Sequence, residues 1–441
     1  MDYILKGNIV FIIKSNASNS ELADVCFLPP LGVMSIATVL EMNGYNVKII
    51  DSSLESMGSK EIIEVIKEKN PVYVGISSYT ENIDENLSLC RYIKKKLSHI
   101  PILLGGSHPT VDSEYCKKRK YVDFIVVGEG EATNLEVAEA IRTKEKLIKF
   151  EEINGLIYYS KEIKKYVDNP KRKPIINLDL LPIIKRQFIP RSLESTMITI
   201  ISSRGCPGRC IYCAASQLSG STYRIRSIEN VFLETLLLLN ITNFGKEIYY
   251  CDDTFTAVVK RVKRFLELID NAEVTYKWRC ESRVDILSKN RELIKEMSQH
   301  GCQRLQYGIE SGNQEVLNKI FKQLDISIVE DLIEYSVSCG VRVAASFIFG
   351  HYCDTEESMN DTLKIMQRLK DRCGSKVELF FSFNTPFPGT YQYNHMEELG
   401  LRVTAPNYQS LNMLDPVAVT DNFDLELLKS FGYKAKPLMV Q

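Results

Sequence analysis

The sequence predicts an α/β protein in two parts, a doubly wound N-terminal domain followed by a partial barrel of six β/α units. Three observations predict it. Short apolar runs alternate with segments of helical periodicity from residue 8 to about 141, the alternation breaks over 145–195, and it resumes from 197 to about 390. A chain of 441 residues is long for one ordinary domain and comfortable for two with separate cores.

In the first part the strand candidates are NIVFII (8–13), YNVKIID (45–51), VYVGISSY (72–79), PILLGG (101–106) and FIVVGEG (124–130). Near-continuous apolar strands, separated by helical segments such as LGVMSIATVLEMNGY and NIDENLSLCRYIKKKL, describe a parallel sheet covered on both faces. Its ligand is expected outside the carboxyl ends of the strands. Over 145–195, NGLIYYSKEIKKYVDNPKRKP reads as a hairpin and NLDLLP as a turn, with prolines and basic residues around both. That is linker composition with a little structure of its own.

The second run of strands is MITIISSRGC (197–206), EIYYCDDTF (247–255), YKWRCESRVD (276–285), RLQYGIESG (304–312), VRVAASFIFG (341–350) and VELFFSFNTPFPGT (377–390). Six units are too few for the closed eight-stranded barrel, so an open partial barrel is the economical architecture. Polar and glycine residues gather at the C-terminal end of each strand, the face where barrel enzymes keep their chemistry. The expected division is 1–144, a linker with a hairpin over 145–195, the barrel over 196–400, and a tail over 401–441.

Lys plus Arg (55) nearly cancel Asp plus Glu (56), so no basic excess points to nucleic acid or an anionic membrane. The start MDYILKGNIVFIIKSN lacks a signal-peptide pattern, and no later apolar run approaches the ~18 residues of a spanning helix. A soluble, cytoplasmic protein with no transmembrane segment is expected.

Twelve cysteines are far below the density of a secreted disulfide scaffold. Most are isolated and read as small buried hydrophobes; Cys251 is set apart by adjoining Asp252 and Asp253. Cys206, Cys210 and Cys213 differ, being clustered as C-x3-C-x2-C in SSRGCPGRCIYCAAS. A structural zinc site wants four protein ligands, commonly as two short pairs, and no second pair is present. Three thiolates on an iron–sulfur cluster leave one iron open to a small molecule. Gly205, Pro207 and Gly208 suit a loop that wraps closely and turns backbone N–H groups toward sulfur.

At these residues the sequence closely resembles the radical S-adenosylmethionine superfamily, whose signature is this C-x3-C-x2-C with an aromatic residue before the last cysteine, here Tyr212. The resemblance implies a 4Fe-4S cluster on Cys206, Cys210 and Cys213 whose open iron binds S-adenosylmethionine. One-electron reduction, from a donor such as flavodoxin or ferredoxin, then yields a 5′-deoxyadenosyl radical. It also implies cofactor contacts at strand ends: Tyr212, Asp252 and Asp253 in YCDDTF, Glu281 and Arg283 in ESRVD, Glu310 and Gly312 in YGIESG, and Phe349 and Gly350 in FIFGH.

The first part is similar to the flavodoxin-like, cobalamin-binding domain that precedes the barrel in a large subfamily. The residues that carry this are Gly32, Ser77, Ser78, Tyr79, Thr80, Gly105, Gly106, Gly128, Glu129 and Gly130, small or hydroxyl residues at strand-to-helix turns along one sheet edge. A D-x-H-x-x-G motif is absent, so no histidine is expected on cobalt, and His108 reads as a loop residue. The two resemblances together imply a cobalamin-dependent methyltransferase acting on an unactivated carbon of a small-molecule, lipid or peptide substrate.

Three other readings stand beside it. A radical enzyme performing rearrangement, coupling or oxidation keeps the cluster without methyl transfer. A methylthiotransferase requires three further cysteine ligands, which Cys26, Cys90 and Cys116 match in number, and a C-terminal nucleic-acid module; the glycine-rich turns and the absence of a basic tail argue against it. A non-catalytic metal or cobalamin scaffold leaves the strand-end residues without a purpose.

Overall fold

The computed structural model describes residues 5–14, 28–220 and 222–439; Cys26 lies outside them. The chain divides into two compact units, 1–196 with 217–220, and 197–216 with 221–441.

Among the described residues the first unit is built on seven strands: β1 (Gly7–Ile13), β2 (Tyr45–Asp51), β3 (Val74–Ser77), β4 (Ile102–Gly105), β5 (Phe124–Val126), β6 (Leu156–Ser160) and β7 (Lys165–Asp168). Their spatial order is β2-β1-β3-β4-β5-β6-β7, and the first five pair in parallel. The order 2-1-3-4-5 is that of the flavodoxin-like doubly wound sheet, with its switch point between β1 and β3. Helix α1 (Leu31–Met42) crosses from β1 to β2, and later crossovers run the other way. Right-handed crossovers therefore put α1 on the opposite face from α2 (Ser59–Lys69) and α3 (Ile83–Lys96). On its own face α1 meets α4 (Glu131–Thr143), where the Ser35 hydroxyl donates to Glu131 Oε1 at 2.8 Å.

The segment read as a linker does form the hairpin, and it is more than a linker. β6 adds antiparallel to β5, and β7 to β6, extending the sheet. Arg172 returns to this unit, its Nε donating to Thr133 Oγ1 at 2.8 Å.

The second unit has six parallel strands, β8 (Met197–Ile200), β9 (Glu247–Tyr250), β10 (Trp278–Ser282), β11 (Cys302–Glu310), β12 (Arg342–Phe349) and β13 (Val377–Phe383), neighbours in sequence order throughout. This is the open (β/α)6 partial barrel. Its pleat sorts side chains into two layers. One layer packs under the helices: the Tyr250 hydroxyl lies 3.0 Å from Thr235 of α5 (Ile228–Ile241), and that of Tyr307 3.3 Å from Ser336 of α6 (Val329–Ser338). Tyr250, Phe255, Phe265 and Trp278 form one aromatic cluster there, with centroids 4.8–5.9 Å apart. The other layer is polar and half-buried on the concave face, where Arg304 pairs with Glu378 at 2.6 Å across β11 and β13.

The tail is part of this unit as well. Helix α7 (Leu425–Ala435) lays Phe431 against Phe349 of β12, with centroids 5.8 Å apart. Among the described residues no helix is long and apolar enough to cross a membrane.

Candidate functional site

The cysteine loop leaves the C-terminal end of β8. Its start is tied down from β9: Asp252 Oδ1 accepts the N–H groups of Ser202 (2.6 Å) and Ser203 (3.1 Å), and Oδ2 accepts the Ser202 hydroxyl. Cys206 and Cys210 flank Gly208, where a Cβ would sit 3.4 Å from the Cys206 sulfur and 3.9 Å from that of Cys210. Backbone donors turn toward sulfur as the glycine-rich sequence predicts, Gly208 N–H to Cys206 Sγ and Ala215 N–H to Cys213 Sγ, both at 3.4 Å. Cys213 is the most exposed of the three, yet crowding by protein pushes its thiol up to about 11; burial pushes Cys210 up too. Among the described residues no three His, Cys, Asp or Glu side chains converge closely enough to hold a single metal ion.

Around this loop the strand ends bring charges together. Glu281 accepts the Tyr249 hydroxyl at 2.5 Å and the Gln306 amide at 3.4 Å, forming a polar seat on the concave face. Burial, and then the nearby Asp253 and Asp252, raise the Glu281 pKa against the lowering effect of Tyr249. Asp253 is exposed just beyond β9, and among the described residues its carboxylate has none of the backbone bonds that fix Asp252. Arg283 is gripped by Asp285 through Nε (2.9 Å) and Nη2 (3.2 Å) and borders the cysteine loop. Glu310 takes a left-handed backbone, φ 72°, at an irregularity of β11, and its carboxylate meets Lys322 at 2.9 Å. Behind Tyr212 lies His351, fully buried, with ring centroids 5.3 Å apart. Neither ring nitrogen of His351 has a hydrogen-bond partner among the described residues. Asp354 Oδ2 holds its turn by accepting the N–H groups of Gly350 (3.1 Å) and His351 (2.9 Å).

In the first unit the C-terminal edge of the sheet is knit by short bonds. Ser78 accepts the Asn86 amide at 2.9 Å, Thr80 Oγ1 lies 3.2 Å from His108 Nδ1, and Gly128 N–H donates to Thr110 Oγ1 at 3.1 Å. At Gly106, φ 107°, a Cβ would lie 2.5 Å from the Ser78 carbonyl oxygen. Among the described residues nothing lies within 4 Å of a Cβ position at Gly32 or Gly128. Gly105 and Ser77 are half-buried beside them and Tyr79 is exposed. Burial holds His108 neutral, its pKa down to about 4.

Comparison with protein families matches the B12 binding domain to residues 26–138 and the radical SAM superfamily to residues 200–366. The chain is a cobalamin-binding-domain radical S-adenosylmethionine enzyme. It is similar to an uncharacterized methyltransferase of Pyrococcus horikoshii, 29% identical over 413 residues that cover 92% of this chain and 86% of that one. Its fold is that of the methyltransferase TsrM from Kitasatospora setae, solved with cobalamin and a [4Fe-4S] cluster (TM-score 0.76, 15% identity, 98% and 89% of the two chains). It is also that of the cobalamin-dependent radical enzyme OxsB, with TM-score 0.78 and 15% identity, where the alignment spans 98% of this chain but 66% of OxsB.

The family's cofactors are a 4Fe-4S cluster, S-adenosylmethionine and cobalamin, and this radical SAM enzyme has residues that fit each. Three thiols with N–H donors aimed at two of them, around a glycine whose Cβ would crowd the loop, suit a cluster. The unpartnered His351 ring and the Tyr249–Glu281–Gln306 seat offer polar groups for a nucleoside and an ammonium. The open glycine positions on the first sheet's edge leave room for a macrocycle.

Four of the residues expected at the cofactors have other partners in the structure. Asp252 is consumed in holding the Ser202–Ser203 backbone, which leaves Asp253 as the carboxylate of the pair without a hydrogen bond among the described residues. Gly312 packs against the helix Glu356–Cys373, where a Cβ would lie 2.6 Å from Thr362 Cα, so it serves packing. Phe349 points into the shell, fully buried against Phe381 and Phe431, and half-buried Ile348 takes the concave face. Glu129 spends a carboxylate oxygen on the Ile175 N–H at 2.7 Å. Sequence reasoning missed Tyr249, Gln306, Lys322 and His351. Strand alternation was signal enough for the first two; Lys322 and His351 sit in loops that carry none.

Proposed function

We propose that this enzyme methylates an unactivated carbon of a small-molecule, lipid or peptide substrate. The observation that carries the reading is the pairing in one chain of a three-thiol loop over a polar barrel mouth with a sheet edge opened by glycines. When bound, the cluster and S-adenosylmethionine supply a 5′-deoxyadenosyl radical, and cobalamin supplies a methyl carrier.

The chain's own residues bind and orient. Cys206, Cys210 and Cys213 hold the cluster. Asp253, Glu281 and Glu310 accept from the ammonium and ribose hydroxyls of S-adenosylmethionine as a charge-assisted set. Tyr212, Gly350 and Ile348 border its nucleoside. Gly32, Ser77, Ser78, Tyr79, Thr80, Gly105, Gly106, Gly128 and Gly130 form the cobalamin rim. In domain terms, 1–144 carries cobalamin, 145–195 extends its sheet, 196–400 carries the radical chemistry and 401–441 buttresses the barrel. A flavodoxin or ferredoxin delivers the electron, in the cytoplasm.

The test is anaerobic reconstitution with iron, sulfide and hydroxocobalamin, followed by iron and cobalt analysis and mass spectrometry of reactions with labelled S-adenosylmethionine. Cobalt and iron in one chain, with label transferred to a substrate carbon, are expected. Iron without cobalt, or 5′-deoxyadenosine without any methylated product across lipid, peptide and small-molecule pools, overturns the methyltransferase reading.

A further inference from the structure

Two ion pairs lie beside the cysteine loop, Arg283 with Asp285 and Lys322 with Glu310, and the Lys322 carbonyl links them by accepting from Arg283 Nη2. Asp285 occupies Nε and Nη2 of Arg283, and Nη2 also reaches the Lys322 carbonyl at 3.4 Å. The remaining Nη1 is turned on Gly208, 2.8 Å from where a Cβ would be, at the point that borders the sulfurs of both Cys206 and Cys210. Lys322 is buried to a similar degree, with its Nζ 2.9 Å from Glu310 Oε1. Burial works against its charge, but Glu310 and then Cys210 outweigh that and raise the Lys322 pKa, so the ammonium is retained. The pair lies over Gly308, where a Cβ would be 2.4 Å from Glu310 Oε1 and 3.0 Å from Lys322 Nζ. A side chain at 308 would displace both groups. The left-handed backbone of Glu310, uncommon outside glycine and asparagine, aims its carboxylate back toward the lysine.

Charge beside an iron–sulfur cluster sets its reduction potential. Reduction adds an electron to a site that three thiolates already make electron-rich, so a nearby cation favours the reduced state and a nearby anion opposes it. We propose that Arg283 and Lys322 raise the potential of the cluster held by Cys206, Cys210 and Cys213, and that Glu310 and Asp285 restrain that rise. This rests on the cluster reading and goes beyond it, because it gives Arg283 and Lys322 a role before S-adenosylmethionine binds. It also explains why each cation is buried with a carboxylate partner: an unpaired buried cation is costly, and the paired arrangement trims the potential without losing the fold.

The test is an electron paramagnetic resonance redox titration of the full reconstituted chain without S-adenosylmethionine, with iron measured in every sample. At the potential where the wild-type cluster is half reduced, Arg283→Gln and Lys322→Met are expected to lower the reduced-to-oxidised ratio. Glu310→Gln is expected to raise it, and Arg283→Lys to leave it near wild type. A tenfold change in that ratio is ~59 mV for a one-electron couple. A merely structural role would move the charge-removing variants in one direction or none. Glu310→Gln shifting the same way as Lys322→Met, or all variants titrating with wild type at full iron, overturns the proposal. Should either cation variant fail to take up iron, Asp285→Asn and Glu310→Gln decide alone: both must raise the ratio, and no rise overturns it. Wild-type protein that takes up no iron overturns instead the cluster reading.

Discussion

His351 and Asp354 make opposite demands on pH, and separating them tests whether the turn after β12 is as buried as the structure has it. His351 has two unpartnered ring nitrogens in a fully buried site; burial, with Lys322 adding to it, pushes its pKa down to about 3. The folded state therefore binds fewer protons than the unfolded chain below the ordinary histidine value. That stability is intact above about pH 6.5 and lost as pH falls, by about 2 kcal/mol at pH 5 at 1.36 kcal/mol per unit. Asp354 is the reverse: burial outweighs its bonds to Ser358, His351 and Gly350 and raises its pKa to about 6. Its folded state holds a proton that the unfolded chain gives up, so stability grows by about 1.3 kcal/mol between pH 7 and 5. In the wild type the two nearly cancel. His351→Phe keeps a ring against Tyr212 and removes the titration, so the barrel should become about 1 kcal/mol more stable from pH 7 to 5. Asp354→Asn should instead expose the histidine loss of about 2 kcal/mol. The chain's one tryptophan, Trp278, is buried in the barrel unit, so urea unfolding of the apoprotein followed by its fluorescence reads this unit. Equal pH slopes for the two variants would refute the assigned burial.

Other perturbations have equally definite outcomes. Cys210→Ala should abolish iron uptake and S-adenosylmethionine cleavage while leaving the Trp278 unfolding transition in place; retained cleavage would sink the radical enzyme. Gly208→Ala forces a methyl group to 2.8 Å from Arg283 Nη1, and iron bound after reconstitution should fall with little change in circular dichroism. Phe349→Ala should cost the barrel about 3–5 kcal/mol as a core truncation, read in the Trp278 transition, because its partners are Phe381 and Phe431. Gly106→Ala puts a Cβ 2.5 Å from the Ser78 carbonyl at a positive φ. It should reduce cobalt retained per chain and leave the Trp278 transition unmoved.

Much of the fold was legible because each strand in it is announced by composition. NIVFII and VYVGIS are apolar enough to be buried on both faces, and the helices between them carry their apolar residues at helical spacing, so a parallel sheet follows. The hairpin of 145–195 was legible as a hairpin, but its place in the sheet was not. Joining β5 depends on an exposed strand edge that only the assembled sheet presents. The tail helix is similar: nothing local says that Phe431 will cover Phe349. The cysteine spacing was the clearest site signal, since three thiols within eight positions have few structural uses.

Asp252 and Phe349 depart from the expected contacts for one shared cause. A sequence places Asp252, Asp253, Phe349 and Gly350 alike at the carboxyl edge of the barrel, but the pleat divides them, because successive side chains point to opposite faces. Asp252 goes inward to receive two backbone N–H groups, and its neighbour is left to the solvent side. Phe349 goes to the shell, and Ile348 beside it goes to the concave face. The same alternation, applied upstream, selects Tyr249 over Tyr250 and Glu281 over Cys280 for the concave face, where Tyr249 and Glu281 bond to each other. Counting alternate positions from a buried residue of the strand therefore identifies the site-facing residue more sharply than proximity to the strand end. Where the strand is irregular, as at Gly308 and Glu310, the count fails by one. There the backbone adopts a left-handed turn, and the displaced carboxylate finds Lys322.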